Sequence, residues 1–304
     1  DGIYTADPRV APHARKLDVV SYDDMLELSS EGAGVLQSRA VEFARKYKVV
    51  IHSRSAFSDE PGTIVKEVAP NMEHAIITGI AHDTSEMKVT IRGLADEAGM
   101  AARVFALLAS NRVSVDMIIQ NATSGGNANI SFTFPGSQRD LALAAVDEIA
   151  KELNASEVFV DENIAKVSLV GTGMKSSPGV AARAFKALAD NKVNILMIST
   201  SPIRISVVVD GDQVETAVQC LHTEFGLDSD SIFEETQLSA PADPADPGET
   251  FFQRGELFRV PEVLMVHFRF QQRDENDFAV VGRIEFDRKG DFAQLVEILF
   301  GFEI

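Results

Sequence analysis

Two similar stretches decide the fold: KVTIRGLADEAGMAARVFALLASNRVSVDMI, which begins at Lys88, and KVSLVGTGMKSSPGVAARAFKALADNKVNILMI, which begins at Lys166. Both contain KV followed by a hydroxyl residue, a glycine-containing turn, AAR, an apolar helix face, Asn and finally Met-Ile. With the residues that follow, the copies align over about 65 residues, which is the mark of an internal repeat. One supersecondary unit is therefore used twice.

Each copy begins with alternating apolar residues, typical of a strand with one buried face, and changes to helical spacing from Met100 or Val180. A second strand, a third strand at 128–135 or 203–210, and a second amphipathic helix follow. EVFVD at 157–161 adds a strand after the first copy. This order predicts an α+β fold in which helices cover one face of a mostly antiparallel sheet, as in a ferredoxin-like sandwich.

The segments outside the repeats differ in character. The first 66 residues are typical of the end of an α/β domain, with helices predicted around YDDMLELSSEG and SRAVEFARKY and a strand at VVIHSR. Residues 238–250 are rich in Pro, Ala and Asp and are predicted to be a linker. Residues 251–304 are predicted to be a small α/β extension of unassigned function, with VLMVHFRF and FAVVGRIEF as paired strands and GDFAQLVEILF as a capped helix.

Composition argues against several classes of protein. The net charge of −18 disfavours nucleic acid as a partner. No apolar stretch approaches the roughly 20 residues of a membrane span, so we expect no membrane partner and a cytoplasmic location. The six histidines and single cysteine lack the spacing of metal ligands, so no metal site is expected, and Cys220 is expected to be a buried thiol. Because the chain begins with Asp, we expect it to be a fragment or a processed piece.

Several motifs together resemble the aspartokinase family, in which paired ACT domains follow an amino-acid kinase domain. They are DGIYTADPR at 1–9, KLDVVSYDDMLELSSEGAGVL at 16–36, RSAFSDEPGT at 54–63 and the two repeats. The resemblance implies two tandem ferredoxin-like ACT (βαββαβ) domains after the C-terminal remnant of an α/β amino-acid kinase domain at 1–66. The first ACT domain is expected at 74–162. The second is expected at 163–237, completed by a strand from about 64–73.

The resemblance also implies an activity and its regulation. Aspartate kinase converts ATP and L-aspartate to 4-phospho-L-aspartate and ADP, and this chain would be the C-terminal portion that binds lysine, threonine or both for feedback inhibition. The phosphate-binding Lys-Phe/Tyr-Gly-Gly motif and the aspartate-binding segments of the family lie upstream of Asp1. We therefore expect no catalytic residue in this chain and no phosphorylation by it alone.

The segment at 1–9 corresponds to a nucleotide-site loop of the family. The resemblance implies that Tyr4 packs near the adenosine of ATP and that Arg9 reaches its phosphates, with ATP bound as a Mg²⁺ complex and no tightly held cofactor. The guanidinium of Arg9 offers a planar fork to phosphate oxygens, and Asp7-Pro8 fixes a turn that aims it. The alternative is a surface turn in which Arg9 makes an ordinary ion pair.

The loop after the first strand of each repeat suits a zwitterionic amino acid. The N-terminus of the following helix offers unpaired N–H groups to a carboxylate, Gly99 and Gly179 allow close backbone approach, and Asp96 is placed to receive an ammonium group. In the family, this loop and the following strand form the effector site between ACT domains. The resemblance thereby implies an effector-binding set: Asp96, Gly99, Met100, Ala101, Ser114, Asp116, Gln120, Asn121 and Asn129.

Alternatives remain open for parts of this set. Asp96 could merely cap the helix, and Asn121 and Asn129 could be turn residues. The family more often has Asp at the position of Asn129, so the identity of the effector stays open.

The second repeat departs further from the family pattern. It has Lys175-Ser176-Ser177 in place of an acidic loop, and Pro202 where the family usually has Glu. We expect it to be mainly structural and to pair with the first repeat of another chain, in a homodimer at least, and we expect Met117 and Met197 to be core residues. The competing hypothesis is a stand-alone ACT-type binding protein without a kinase, against which the segment from Tyr4 to Arg9 argues.

Overall fold

The computed structural model describes residues 2–68, 76–123, 125–228, 265–274 and 277–285. By internal contacts the chain divides into two units, one formed by 1–79, 170–178 and 222–304, the other by 80–169 and 179–221. Each is described below by itself. Among the described residues, no helix is long and apolar enough to cross a membrane.

The first unit contains a small mixed sheet and two helices. In chain order these elements are β1 (Val19–Ser21), α1 (Tyr22–Ser30), α2 (Ser38–Tyr47), β2 (Ile51–Ser53) and β3 (Thr63–Lys66). The sheet order is β1-β3-β2, with β1 parallel and β2 antiparallel to the central β3. The helices predicted around YDDMLELSSEG and SRAVEFARKY and the strand in VVIHSR are all present, which is the pattern of the end of an α/β domain.

The buried Asp24 joins three segments of the first unit. Its backbone N–H donates to the hydroxyl of Ser21, the N-cap of α1, at 3.0 Å. Its carboxylate accepts hydrogen bonds from the Ser21 hydroxyl (2.9 Å), the Thr78 hydroxyl (3.1 Å) and the Thr172 N–H (3.0 Å). Burial raises the pKa of Asp24, and these three hydrogen bonds only partly oppose that effect. The start of α1 is thus fixed to segments that are distant in sequence.

The first repeat forms a four-stranded antiparallel sheet with two helices. Its elements are β5 (Glu86–Ala95), α3 (Met100–Ser110), β6 (Ile118–Thr123), β7 (Asn127–Pro135), α4 (Arg139–Glu152) and β8 (Glu157–Asp161), and the sheet order is β6-β7-β5-β8. Val89 and Ile91 of β5 point into one core with Val104 of α3, Phe132 of β7 and Ile149 of α4. Both helices therefore cover the same face of the sheet, and the predicted ferredoxin-like fold is confirmed.

The second repeat builds the same arrangement with one difference. Its elements are β4 (Gly79–Asp83), β9 (Ile164–Val170), α5 (Val180–Asp190), β10 (Met197–Ser201), β11 (Arg204–Asp210) and α6 (Val214–Glu224), in sheet order β10-β11-β9-β4. The strand β4 precedes the first repeat in sequence, so the first repeat is inserted within the second. All seven residues of β9 are buried. This strand has a neighbour at each edge, β11 on one side and β4 on the other.

This topology corrects the expected domain boundaries. The strand expected from about 64–73 does not complete the second domain, because Thr63–Lys66 pairs with β1 and β2 in the first unit, and 69–73 lie outside the described residues. The first domain likewise does not extend back to residue 74, since 79–83 belong to the sheet of the second. Pro202 lies in the turn between β10 and β11 rather than at the beginning of a strand. Its missing N–H therefore does not remove a hydrogen bond between the two strands.

The C-terminal extension contributes a hairpin to the first unit. Strands β12 (Met265–Asp274) and β13 (Asp277–Glu285) pair antiparallel, with a register shift between Gln272 and Asp274. These are the two strands predicted from VLMVHFRF and FAVVGRIEF. The predicted linker at 238–250 and the predicted helix GDFAQLVEILF lie outside the described residues.

Candidate functional site

The loop between β5 and α3 has the geometry of an anion-accepting helix start. Gly99 is the N-cap of α3 with φ +94°, a backbone conformation that favours glycine, and no side chain caps the helix. Asp96 is therefore not the helix cap. Its side chain is exposed, and its backbone N–H donates to the Gly126 carbonyl at 2.9 Å. Gly179 has the same conformation in the second repeat, with φ +92°.

Two asparagine side chains lie beside this loop. Asn129 of β7 is directly across from Asn121 of β6, and its amide oxygen accepts a 3.2 Å hydrogen bond from the N–H of Gly93. Gly93 lies where the β5–β7 register shifts between Ile91 and Leu94, and this bulge turns its N–H towards Asn129. Both asparagines are thus strand residues rather than turn residues. They and the exposed Gln120 lie at the same end of the sheet as Asp96 and Gly99.

Met100 and Ala101 are the first two residues of α3, directly after the Gly99 N-cap. The Met100 side chain is 4% exposed and belongs to the core of the first repeat, and Ala101 packs against the same core. The Met100 N–H already donates to the Glu97 carbonyl at 3.2 Å. The Ala101 N–H, in the first turn of α3, is therefore the better placed of the two to meet a ligand carboxylate.

Ser114 and Asp116 lie at the opposite end of the sheet. The Ser114 N–H donates to the Gln138 side chain at 2.7 Å, and the Asp116 N–H donates to the Thr133 carbonyl at 3.0 Å. Thr133 and Asn129 are four residues apart on β7, which places them about 13 Å apart at roughly 3.3 Å per residue. The nine expected effector residues therefore form two separate groups within one chain.

Asp116 already has a cationic partner in this chain. Lys166 of β9, only 2% exposed, places its Nζ 2.5 Å from Asp116 Oδ2 and 3.0 Å from Glu86 Oε1. Glu86 is also buried, and the three residues form an ion triad that links the sheets of the two repeats. Nearby, Met117 and Met197 pack in one apolar cluster with Ile164, so their predicted core role is confirmed.

The triad sets the ionisation of its carboxyl groups. Burial raises the pKa of Glu86, and hydrogen bonding to Thr133 and the charge of Lys166 only partly oppose that effect. For Asp116, burial also acts to raise the pKa, but the hydrogen bond and charge of Lys166 outweigh it, and the pKa lies below its usual range. Glu86 and Lys166 are not among the residues predicted from the sequence. The sequence feature that indicates them is a lysine in the middle of the apolar strand IAKVSLV, because a buried lysine requires a carboxylate partner.

The expected nucleotide-binding residues lie on a turn near the N-terminus. The Asp7 carbonyl accepts the N–H groups of Val10 and Ala11, and the Asp7 carboxylate accepts the Arg9 N–H at 2.9 Å and its guanidinium at 2.7 Å. The hydrogen bond and charge of Asp7 raise the pKa of Arg9, whose side chain is 89% exposed. Tyr4 is half-buried, and its backbone forms an isolated antiparallel β-bridge with Lys16. Asp7 thus fixes the turn and holds a solvent-facing arginine.

The described residues contain no group of three or more His, Cys, Asp or Glu side chains that could hold a metal ion.

Comparisons with known proteins agree with the fold and motifs. The ACT domain family matches residues 89–149 and 167–225, and the amino acid kinase family matches residues 1–53. Aspartokinase of Mycolicibacterium smegmatis is 49% identical over 235 residues, which are 76% of this chain and 56% of that protein. Aspartokinase of Corynebacterium glutamicum is 44% identical over 231 residues, which are 75% of this chain and 55% of that protein.

Solved structures give the same assignment. Clostridium acetobutylicum aspartate kinase has a TM-score of 0.65 and 27% identity, covering 74% of this chain and 52% of that one. E. coli aspartokinase III, in complex with lysine and aspartate in the T-state, has a TM-score of 0.59 and 28% identity, covering 74% of this chain and 49% of that one.

The chain therefore combines the end of an amino acid kinase domain with two ACT domains. The chain belongs to the aspartokinase family. It spans about half the length of the curated relatives that it matches, 55–56% for the two named above.

Proposed function

We propose that this chain is the regulatory C-terminal portion of an aspartate kinase, which phosphorylates L-aspartate with ATP, and that it binds lysine, threonine or both as feedback inhibitors. The observation that carries the proposal is the end of the first ACT sheet, where an uncapped helix start and amide side chains lie together. A helix start accepts the ligand carboxylate, and Asp96 accepts its ammonium group. The aspartokinase III structure with bound lysine supports an amino-acid effector.

The separation of the two residue groups favours a site between chains. A single amino acid cannot reach from Asp96 to Asp116 within one sheet, because these residues lie at opposite ends. If two ACT domains pair side by side in opposite directions, the loop of one comes close to the Ser114–Asp116 segment of the other. We therefore propose at least a homodimer in which the effector binds across ACT domains, with the second ACT domain mainly in a structural role.

Inhibition then follows from differential affinity. An effector that binds the inactive arrangement more tightly than the active one shifts the equilibrium, and a coupling of about 1–3 kcal/mol corresponds to roughly 5- to 150-fold inhibition. In the complete enzyme, Tyr4, Asp7 and Arg9 would contact ATP, which enters as its Mg²⁺ complex. The solvent-facing Arg9, aimed by Asp7, suits a phosphate that comes and goes with each turnover.

The alternative is an ACT-type binding protein without kinase activity. The match of residues 1–53 to the amino acid kinase family disfavours it, because a pure sensor needs no such segment. The net charge of −18 continues to argue against nucleic acid as a partner.

Calorimetric titration of the chain with lysine and with threonine tests the proposal. We expect saturable binding of at least one of them and a loss of roughly tenfold or more in affinity for Asp96→Ala, since a charge-assisted hydrogen bond contributes about 1.5–3 kcal/mol. Glu97→Ala is the matched control, because Glu97 is an exposed carboxylate in the same loop. Equal effects of the two substitutions would remove Asp96 from the site, and no binding of either ligand would contradict the proposal.

A further inference from the structure

Thr5 lies at the centre of the segment that carries the candidate nucleotide residues. Its N–H donates to the Arg15 carbonyl, and the Leu17 N–H donates to the Ile3 carbonyl, both at 2.8 Å. The stretches 3–5 and 15–17 thus pair across the turn that holds Asp7. Thr5 is 1% exposed, so its hydroxyl must find its partners within the protein.

The Thr5 hydroxyl has three partners, which together fix the direction of each hydrogen bond. The Arg15 N–H lies at 2.9 Å, the Leu227 carbonyl at 3.3 Å and His222 Nε2 at 2.9 Å. A hydroxyl donates one hydrogen bond and accepts two. Because the Arg15 N–H can only donate and the Leu227 carbonyl can only accept, all three contacts are satisfied when His222 donates from Nε2.

His222 is placed to hold this arrangement rigidly. It lies in the last turn of α6 and is 3% exposed. Burial lowers the pKa of His222, with Arg15 and His13 acting in the same direction and Asp228 against it, which favours the neutral form of the ring. A second hydrogen bond, from Arg15 Nε to the Leu227 carbonyl at 3.1 Å, joins the same two segments.

The backbone of Thr5 also lies against the first residue of β4. A Cβ atom added at Gly79 would stand 3.0 Å from the Thr5 carbonyl oxygen, so only glycine allows this approach without movement. His222, at the end of α6, and Gly79, at the beginning of β4, belong to the same compact unit as the candidate nucleotide segment. That segment therefore has two contacts within this unit, one with the end of α6 and one with the beginning of β4.

We propose that His222 is a positioning residue for the segment from Tyr4 to Arg9: by donating to Thr5 it fixes that segment to α6, so that a shift of α6 displaces the nucleotide-binding residues. This gives the end of α6 a role in transmission, and it rests on the proposed function in taking residues 4–9 as part of a nucleotide site. The transmission requires no contact between effector and His222. It requires only that α6 and Thr5 move together.

Hydrogen–deuterium exchange of the ligand-free chain tests the positioning directly. In His222→Phe, which keeps a ring but loses the donor, the amides of Thr5 and Leu17 should exchange about 3- to 10-fold faster, as expected for one lost hydrogen bond. His222→Gln, whose amide can donate to Thr5, should restore most of the protection. Amides of α1 should be unaffected, and a general increase across the first unit would overturn the proposal in favour of a merely structural histidine.

A double-substitution cycle with Thr5→Val separates direct from indirect effects. If His222 acts through the Thr5 hydroxyl, His222→Phe should add little to the faster exchange of Thr5→Val, whereas additive effects would overturn the proposal. In a second arm, saturating lysine and threonine should change exchange at Thr5 in the parent and not in His222→Phe. The ligand-free cycle decides the positioning role even if calorimetry shows no effector binding, so failure of the proposed function would be recognised separately.

Discussion

Replacing Lys166 by Met should destabilise the chain by an amount that depends on pH. The substitution nearly preserves side-chain volume and removes the ammonium group that lies 3.0 Å from the buried Glu86 carboxylate. Glu86 can then avoid a buried charge by binding a proton. Starting from a reference pKa of about 4.3, forced protonation costs about 1.4 kcal/mol per pH unit, which is about 3.5 kcal/mol at pH 7 and about 1 kcal/mol at pH 5.

The sign of the pH dependence follows from the proton balance. Without Lys166, the folded-state pKa of Glu86 lies above its unfolded-state value, so stability is lost as the pH rises through the region between the two values. Asp116 adds little, because its side chain is 43% exposed and water replaces the lost cation. The loss relative to the parent should therefore shrink by about 2.5 kcal/mol between pH 7 and pH 5.

Urea unfolding followed by circular dichroism at both pH values measures the effect. The urea concentrations at the midpoint of unfolding are compared between variants whose m-values are equal. Lys88→Met is the matched control, because Lys88 occupies the equivalent position in the first repeat but pairs with Asp161 at 3.6 Å near the surface. It should cost less than about 1 kcal/mol at either pH. Combining Lys166→Met with Glu86→Gln should recover most of the loss. A Lys166→Met effect that is independent of pH, or no larger than that of Lys88→Met, would refute the reasoning.

Three further predictions follow from the described contacts. Asp24→Ala should cost about 3 kcal/mol, because two hydroxyl donors and the Thr172 N–H lose their acceptor, while Asp24→Asn, which keeps one amide oxygen, should cost less than half as much in thermal unfolding. Since burial holds the pKa of His222 low, the contribution of the neutral ring to the free energy of unfolding should be fully present above the unfolded-state pKa of about 6.5 and should fall as the pH drops towards the folded-state pKa. His222→Gln should therefore lose less stability than the parent between pH 7.5 and pH 5. Asn129→Asp should shift the calorimetric affinity ratio towards lysine relative to threonine, and an unchanged ratio would remove Asn129 from the ligand contacts.

Local pattern predicted the elements of each repeat closely. Helices α3 and α5 begin at Met100 and Val180, where the spacing of apolar residues changes, and each ends before an asparagine C-cap. These features depend on a few neighbouring residues and are therefore visible in sequence. The ferredoxin-like fold followed from the order of the elements and was confirmed.

The pairing of strands that are distant in sequence could not be predicted from local patterns. The placement of β4 in the second sheet depends on which edge of β9 lacks a neighbour, and periodicity within a short apolar segment carries no information about a partner about 80 residues away. The separation of Ser114 and Asp116 from Asp96 has a similar origin. Helix α3 runs from one end of the sheet to the other. The residues just before α3 and those just after it therefore lie at opposite ends of the sheet, although they are close in sequence.

The insertion of the first ACT domain within the second has a consequence for how the chain folds. Strand β4 is synthesised about 80 residues before its partner β9, and closing so long a loop of flexible chain is entropically unfavourable. Once the first domain has folded, however, its terminal strands pair, with Lys88 opposite Asp161, so the chain leaves that domain close to where it entered. Folding of the first domain therefore shortens the effective loop between β4 and β9 to a few residues. A substitution that prevents the first domain from folding should then also prevent the second domain from folding, although the second domain's own sequence is unchanged.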